Sequence, residues 1–286
     1  MNRKETLAVL QEFGIQPSRS LGQNFLTDDR IISQICDAAG ITPSDLVVEI
    51  GPGIGGLTRE LARRAGHVAA LEIDRHVLPA LKHTLAEFTN CSIYHADALK
   101  VNLAELCSGW PGPVKIVANL PYYITTPLLT KMFCELPGSH NWVFMIQKEA
   151  AGRLMARPGC KQYGPLAVLA ACLGTVARVA SVPASAFVPV PAVDSCVICI
   201  SPDRQLQISD WPAFQDFLNA CFGRRRRTLA NNLKVMVLST GQSELISQAL
   251  ETIGLSGNVR AERLRCEQFV ALYQFFFEKR LEFDAE

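Results

Sequence analysis

The stretch Val47-Val48-Glu49-Ile50-Gly51-Pro52-Gly53-Ile54-Gly55-Gly56 is an apolar run that stops at glycines, and an amphipathic pattern (Leu57, Leu61, Ala62, Ala65) begins directly after it. That succession reads as strand, tight turn and helix. The glycines leave the turn without Cβ atoms, so its backbone can enter conformations closed to other residues and a ligand can lie directly against it. Outward from this stretch the pattern is regular. It predicts strand 46–51, helix 56–65, strand 67–73, helix 75–87, strand 91–96, a less regular connection, strand 114–119, helix 126–134, strand 141–147 and helix 148–156. Strands alternating with helices imply right-handed crossovers and a parallel sheet covered on both faces. Upstream, residues 3–13 read as a short helix, residues 17–26 show no clean period, and Asp28 or Asp29 caps a helix that Gly40 ends.

What the turn holds stays open on the motif alone. Gly51-x-Gly53-x-x-Gly56 satisfies the dinucleotide fingerprint, and Glu72, at the end of the next apolar run, has the place of a ribose-binding acid about 20 residues on. NAD would set a pyrophosphate on the helix N-terminus. S-adenosylmethionine has no phosphate and carries a cationic sulfonium. Glu49, two residues before the first glycine, would repel a pyrophosphate and suits a cation with an ammonium group nearby. A solvated strand-end carboxylate is the plain alternative.

In a sheet of this kind ligands bind beyond the carboxyl ends of the strands, where strand order reverses. Those ends carry Glu49 with Gly51, then Glu72 and Asp74, then Asp97, then Asn119. Glu72 can accept from both ribose hydroxyls, and Asp97 from an adenine amine. The fourth end continues as Asn119-Leu120-Pro121-Tyr122. Proline fixes its own φ and restricts Leu120, turning a backbone carbonyl outward. An exocyclic purine amine is a poor nucleophile because its lone pair is delocalised. If the Asn119 side-chain oxygen and the Leu120 carbonyl take its two hydrogens, the nitrogen pyramidalises and its lone pair turns toward a methyl donor. Tyr122 would stack on the base, a contact of about 1–3 kcal/mol. A strand-ending turn with core aromatics is the bland reading of the same residues.

Composition sets outer limits. With 286 residues and 49% hydrophobic content the chain can fill substantial cores, as one large domain plus a small one. A net charge of +1 gives no global argument for nucleic acid, so that claim must rest on local clusters. Met1-Asn2-Arg3-Lys4-Glu5 does not read as a secretory signal, and the longest nearly apolar stretch, Leu166 to Ala177, is too short to cross a bilayer, so a cytoplasmic protein is expected. Ten cysteines are spread without paired spacing; Cys196 and Cys199 lie in an expected strand, where residues three apart face opposite sides. Neither they nor the five histidines form a metal site, and no metal is expected.

Together, Gln23-Asn24-Phe25-Leu26, Glu49-Ile50-Gly51-Pro52-Gly53, Asn119-Leu120-Pro121-Tyr122 and Phe187-Val188-Pro189-Val190-Pro191-Ala192-Val193-Asp194-Ser195 resemble the ribosomal RNA adenine dimethyltransferases. More narrowly they resemble the bacterial branch that dimethylates two adjacent adenosines in a hairpin loop near the 3′ end of small-subunit rRNA. The likeness runs from about residue 18 to about residue 270. It implies an S-adenosylmethionine cofactor held by Asn24, Leu26, Gly51, Glu72, Asp97 and Asn119, to which the reading of the glycine turn adds Glu49 and Gly53. It makes the N-terminal segment a flap over the cofactor. The stretch from Val176 to Ile200 reads as two short strands with a proline-containing connection that carries Phe187, an antiparallel hairpin at the sheet edge. Phe187 is expected to face the pocket opposite Tyr122, and the resemblance implies that it stacks on the target adenine; an exposed rim hydrophobe is the alternative.

From Asp210 onward the pattern is helical, with core stripes Phe214, Phe217, Leu218, Cys221 and Phe269, Leu272, Tyr273, Phe276. Between the stripes lie Arg224, Arg225, Arg226, Arg227 and Lys234, five positive charges with no negative one, at what reads as a helix N-terminus. There they oppose the macrodipole, and phosphates would offset the repulsion. The expectation is therefore an α/β fold: a Rossmann-like, mostly parallel methyltransferase sheet over residues 1–204, with a flap over 1–40, and an all-helical RNA-binding domain over 205–286. The partner expected is small-subunit rRNA in the assembling small ribosomal subunit, with the chain acting as a monomer away from membranes. The alternatives are a large-subunit rRNA adenine dimethylase, a non-catalytic RNA-binding assembly or transcription factor, and an NAD oxidoreductase, for which no hydride chemistry is evident.

Overall fold

The computed structural model describes residues 1–18, 21–202, 206–237 and 243–283. Arg19 and Ser20 of the N-terminal segment, the expected boundary between residues 204 and 205, and the last three residues of the expected helical domain lie outside the described residues. In chain order the elements begin with α1 (Arg3–Glu12), β1 (Phe25–Leu26), α2 (Asp29–Ala39), β2 (Leu46–Ile50), α3 (Thr58–Arg64), β3 (His67–Glu72), α4 (Leu78–Thr84) and β4 (Cys91–His95). Next come α5 (Leu103–Cys107), β5 (Val114–Asn119), α6 (Thr125–Glu135), β6 (Asn141–Gln147), α7 (Lys148–Leu154), α8 (Pro165–Leu173) and β7 (Gly174–Val182). β8 (Phe187–Val188), β9 (Ser195–Pro202), α9 (Trp211–Cys221), α10 (Leu229–Val237), α11 (Ser243–Thr252) and α12 (Cys266–Phe283) complete the chain.

Two compact units result, Met1–Ala151 with Thr175–Pro202, and Gly152–Gly174 with Asp203–Glu286. In the first, seven strands form one sheet in the order β4-β3-β2-β5-β6-β9-β7. β2, β3, β4, β5 and β6 pair in parallel, and β9 runs antiparallel to β6. The expected mostly parallel sheet with an antiparallel edge is thus what forms. Strand order reverses between β2 and β5, and the carboxyl ends of these two strands carry the glycine turn and Asn119. Central strands are buried on both faces: Leu46 to Ile50, with Glu49 the one charged residue, and Trp142 to Ile146 are buried throughout. Each such Val, Ile or Phe contributes about 1.5–3 kcal/mol on burial. Asp28 caps α2 through the amides of Arg30 and Ile31, and Gly40 ends it at φ 58.

Three local features differ from the sequence reading. α3 begins at Thr58, two residues later than the glycines predicted, since positive φ angles at Gly51, Gly53 and Gly55 hold the turn out of helical geometry. The stretch 174–202 holds three strands, because Phe187 and Val188 pair with Leu26 and Phe25 in a separate two-stranded ladder. Residues 152–174 cluster with the C-terminal helices and not with the segment 1–204 in which the sequence reading put them. Tyr163 donates its hydroxyl proton to Leu264 O at 2.9 Å, and Gly159 N donates to Glu262 O at 2.6 Å. The second unit's core is built from the expected stripes: Phe214, Phe217, Leu218, Cys221, Phe269, Leu272 and Tyr273 are all buried, with Phe214 and Tyr273 in edge-on contact at 5.3 Å. Cys196 and Cys199 are buried free thiols on opposite faces of β9, as the spacing required. Among the described residues no helix is long and apolar enough to cross a membrane, and no group of side chains could hold a metal ion.

At the amino end of the sheet, Lys115 on β5 reaches Asp45 at 2.9 Å and donates to Gly40 O, with side-chain exposures of 9% and 1% for the two ion-pair partners. Asp45 also accepts from Thr42 N at 2.6 Å, so this pair pins the end of α2 to the start of β2. Removing one partner strands a buried charge. Lys115→Ala is expected to cost about 3–5 kcal/mol in urea unfolding, and an apolar pair replacing both residues to cost less than either single change.

Candidate active site

The glycine turn is held from below by a carboxylate. Glu72, at the end of β3, is 5% exposed; its Oε2 accepts from Gly53 N and its Oε1 from Asp74 N, each at 2.9 Å. Burial pushes the Glu72 carboxyl up, and the amide donors of Asp74 and Gly53 oppose that shift. A carboxylate has about four acceptor sites, so the two oxygens retain capacity for a diol. Above the turn lies the flap: a Cβ added to Gly53 would sit 2.9 Å from the Phe25 ring, and Gly53 has φ 58. Only glycine allows the ring and the turn to meet this closely.

Glu49 is not the solvated strand-end acid of the plain alternative. It is 1% exposed, lines the cleft, and its Oε2 has no hydrogen-bond partner among the described residues. Burial pushes its carboxyl up to about 8; the Thr58 hydroxyl pulls the other way without reaching hydrogen-bond geometry, and the Glu72 charge adds to the rise. Glu49 and Glu72 thus share one cleft in different hydrogen-bond environments, Glu72 with two amide donors and Glu49 with one oxygen left without a partner among the described residues.

Across the cleft, β5 ends in Asn119, whose Nδ2 donates to the flap carbonyl Asn24 O at 3.2 Å. Its Oδ1 has no donor among the described residues. Leu120 is 1% exposed and its amide donates to Met145 O at 3.1 Å; Pro121 follows at φ −58 and ψ 131, and its carbonyl accepts from Thr125 Oγ1 at 3.0 Å. These bonds fix the turn after the strand. The half-buried Tyr122 ring lines the cleft, and its hydroxyl lies 2.9 Å from Ser195 Oγ at the start of β9. Burial raises the Tyr122 hydroxyl and the Ser195 contact opposes that.

One cleft therefore gathers Asn24, Leu26, Glu49, Gly51, Gly53, Glu72, Asn119, Leu120, Pro121 and Tyr122 from separate stretches of chain. Asp97 lies beyond its lining; it accepts from Leu99 N at 3.0 Å, with Lys100 Nζ at 3.7 Å. Phe187 is neither an exposed rim residue nor a wall of this cleft. It is wholly buried among Leu26, Ile32 and Val197, because its pairing with Leu26 turns the ring into the core. Thr6 of α1, 1% exposed, also lines the cleft and was not anticipated, since a threonine in a short polar helix carries no sequence signal. Ser195 closes one of the sequence motifs without a role of its own there; only the fold shows its contact with Tyr122.

In the second unit Arg224 to Arg227 are exposed and occupy the turn between α9 and α10, not a helix N-terminus. α10 starts at Leu229, so the run follows the carboxyl end of α9, and the expected macrodipole cost is reduced. Arg225 Nη2 donates to Tyr163 O at 3.0 Å, Lys234 is exposed on α10, and none of the four arginines forms an ion pair among the described residues.

A mostly parallel sheet with its switch point at a glycine turn, a buried acid ending the neighbouring strand and an Asn-Leu-Pro-Tyr turn opposite make this a Rossmann-like methyltransferase fold. The family model for ribosomal RNA adenine dimethylase matches residues 15–278. The chain is 40% identical over 272 residues to a ribosomal RNA small subunit methyltransferase A of Alkaliphilus metalliredigens, covering 94% of each. It is 41% identical over 281 residues to one of Leuconostoc citreum, covering 96% of this chain and 94% of that one. Among solved structures, a dimethyladenosine transferase from Plasmodium falciparum superposes with TM-score 0.75 at 27% identity, covering 89% of this chain and 98% of that one. The 23S rRNA methyltransferase ErmE superposes with TM-score 0.63 at 28% identity, covering 88% and 99%. The chain belongs to the ribosomal RNA adenine dimethylase family.

The close approach of turn and flap is a sensitive point. Gly53→Ala adds a methyl against Phe25 in a left-handed conformation. It is expected to destabilise the unit by about 1–3 kcal/mol in chemical denaturation.

Proposed function

We propose that the protein transfers methyl groups from S-adenosylmethionine to N6 of two adjacent adenosines in the hairpin loop near the 3′ end of small-subunit rRNA, two methyls to each, in the assembling small subunit in the cytoplasm. The observation that carries this reading is the Asn119 carboxamide, anchored through Nδ2 on Asn24 O with Oδ1 left as an acceptor at the cleft. An amine placed there gives one hydrogen to Asn119 Oδ1 and the other to the Leu120 carbonyl. Its lone pair then points out of the ring plane, and no general base is needed before transfer. The proton leaves to water once the nitrogen has gained its bond. Binding RNA without catalysis would not need this arrangement.

The cleft fits the cofactor. Bound S-adenosylmethionine supplies an electrophilic methyl on a cationic sulfur. Glu72 has acceptor capacity for ribose hydroxyls, and the buried, unpartnered Glu49 oxygen suits a cationic group while opposing a pyrophosphate. Gly51, Gly53, Asn24 and Leu26 form the walls, and we assign Asp97 to the adenine amine at the outer end. Tyr122, its hydroxyl tied to Ser195, is the stacking face for the flipped base. Phe187, buried beneath Leu26, supports the flap in this conformation. Arg224, Arg225, Arg226, Arg227 and Lys234 would engage phosphates as a patch of the helical unit. The identities near 40% with small subunit enzymes favour that rRNA over the large-subunit alternative, at 28% identity.

Asn119→Ala is expected to abolish radiolabelled methyl transfer to immature small subunits while subunit binding stays within about twofold. No transfer by a wild-type protein that binds the cofactor would overturn the proposal. Below about pH 8 the Glu49 carboxyl holds its proton, and a cation must displace it. Cofactor affinity is therefore expected to rise with pH toward that value, by up to about tenfold per unit, and to lose this slope in Glu49→Gln when followed by calorimetry.

A further inference from the structure

Residues 23 and 24, adjacent in the flap, grip two different walls of the cleft. Gln23 Nε2 donates to Asp74 Oδ2 at 2.8 Å, just past the end of β3. Asn119 Nδ2 donates to Asn24 O at 3.2 Å, at the end of β5. Both grips are themselves braced. Ser18 N donates to Gln23 Oε1 at 2.8 Å. Asp74 is 9% exposed, its Oδ1 accepts from His76 N at 2.9 Å, and its own amide donates to Glu72 Oε1.

A carboxamide at position 119 has two orientations that differ by a half turn. With Asn24 O seated against it, Nδ2 is drawn to that carbonyl and Oδ1 is left as the acceptor. The reversed orientation would set two carbonyl oxygens about 3 Å apart with no proton between them, at the cost of an unmade hydrogen bond. Without the carbonyl, the two orientations differ little, and an amine would meet a donor as readily as an acceptor. The position of Asn24 O therefore decides what the target nitrogen encounters.

We infer that the Gln23–Asp74 hydrogen bond is a latch that seats the Asn24 carbonyl on Asn119, making Gln23 and Asp74 positioning residues for the orientation of the amine-accepting carboxamide. The inference rests on the proposed methyl transfer and adds to it a coupling between the ribose side of the cleft and the base side. Asp74 is hydrogen-bonded to Glu72, so the residue that would take the ribose and the residue that would take the amine are joined through the flap by consecutive hydrogen-bonded or covalently adjacent groups, Glu72, Asp74, Gln23 with Asn24, and Asn119.

The donor and acceptor of the latch can be exchanged. Gln23→Glu alone sets carboxylate against carboxylate; combined with Asp74→Asn it restores one hydrogen bond with the reverse polarity, and the oxygen of the introduced carboxamide remains available to His76 N. In the full chain, Gln23→Glu is expected to lower kcat by about 10- to 100-fold with the KM for RNA unchanged. The double variant is expected to recover to within about threefold of wild type. A second measurement needs no turnover: the side-chain amide cross-peak of Asn119 in a 15N–1H spectrum of the unliganded protein, assigned by its loss in Asn119→Ser. It should move in Gln23→Glu and return in the double variant. If that cross-peak and kcat are unchanged in Gln23→Glu, or if the double variant stays as impaired as the single one while melting like wild type, the latch is overturned. Should Gln23→Glu fail to fold, Gln23→Ala, which removes the donor without adding charge, supplies the same two readings. A wild-type chain that transfers no methyl group sinks the functional reading, and the amide spectrum still decides the latch.

Discussion

Two backbone amides, those of Gly53 and Asp74, converge on the Glu72 carboxylate, and the shape of the cleft depends on that convergence. Hydrogen bonds to a charged group contribute about 1.5–3 kcal/mol each, enough to hold a glycine turn that has no side chains of its own to pack. They also keep an almost fully buried acid usable as an acceptor, since the amides favour the ionised form that burial disfavours. Glu49, on the adjacent strand, shows the same burial without the donors, and its carboxyl rises to about 8. The two differ in hydrogen-bond environment: amide donors oppose the rise that burial causes at Glu72, while one Glu49 oxygen has no partner among the described residues.

The flap gives the cleft its other wall, and its cleft-facing residues are buried or half-buried and hydrogen-bonded. Phe25 and Leu26 pair with Val188 and Phe187, the Phe25 ring lies over Gly53, Thr27 N and Oγ1 donate to Ala186 O, and the bonds Gln23–Asp74 and Asn119–Asn24 tie residues 23 and 24 to the cleft. The helical unit differs: aromatic and aliphatic side chains fill its core, while Arg224 to Arg227 stand exposed in the turn before α10 and Lys234 is exposed on it.

The central sheet was legible because its signal is repeated and local. Leu46 to Ile50, Val114 to Asn119 and Trp142 to Gln147 are mostly apolar runs, and the first two end beside Glu49, Gly51 and Asn119, which line the cleft. Glu49, Gly51, Glu72 and Asn119 followed from that pattern, and Asn24 and Leu26 only from the family likeness. What escaped was set by tertiary pairing. Phe187 looks like a rim aromatic until its pairing with Leu26 turns it into the core. The helix Pro165–Leu173 is nearly uniformly apolar, so no face could be read from it, and its partners lie about a hundred residues later, as with Tyr163 and Leu264. The arginine run falls on the other side of a turn from where its pattern points, because Gly223 and Thr228 mark a break without giving its length. Thr6, Ser195 and Gln23 carry ordinary polar chemistry, and only the folded chain shows what each one touches.

The anchor on Asn119 is a main-chain oxygen, which every amino acid possesses. Substitution at residue 24 leaves that oxygen in place, whatever else it alters. Deleting or inserting a single residue between Gly22 and Phe25 would instead shift the carbonyl by a full peptide unit and present a side chain where the oxygen stood. Selection for this contact therefore acts on the spacing of the segment more than on the letter it carries at that site, and alignments should record it as a stretch intolerant of gaps.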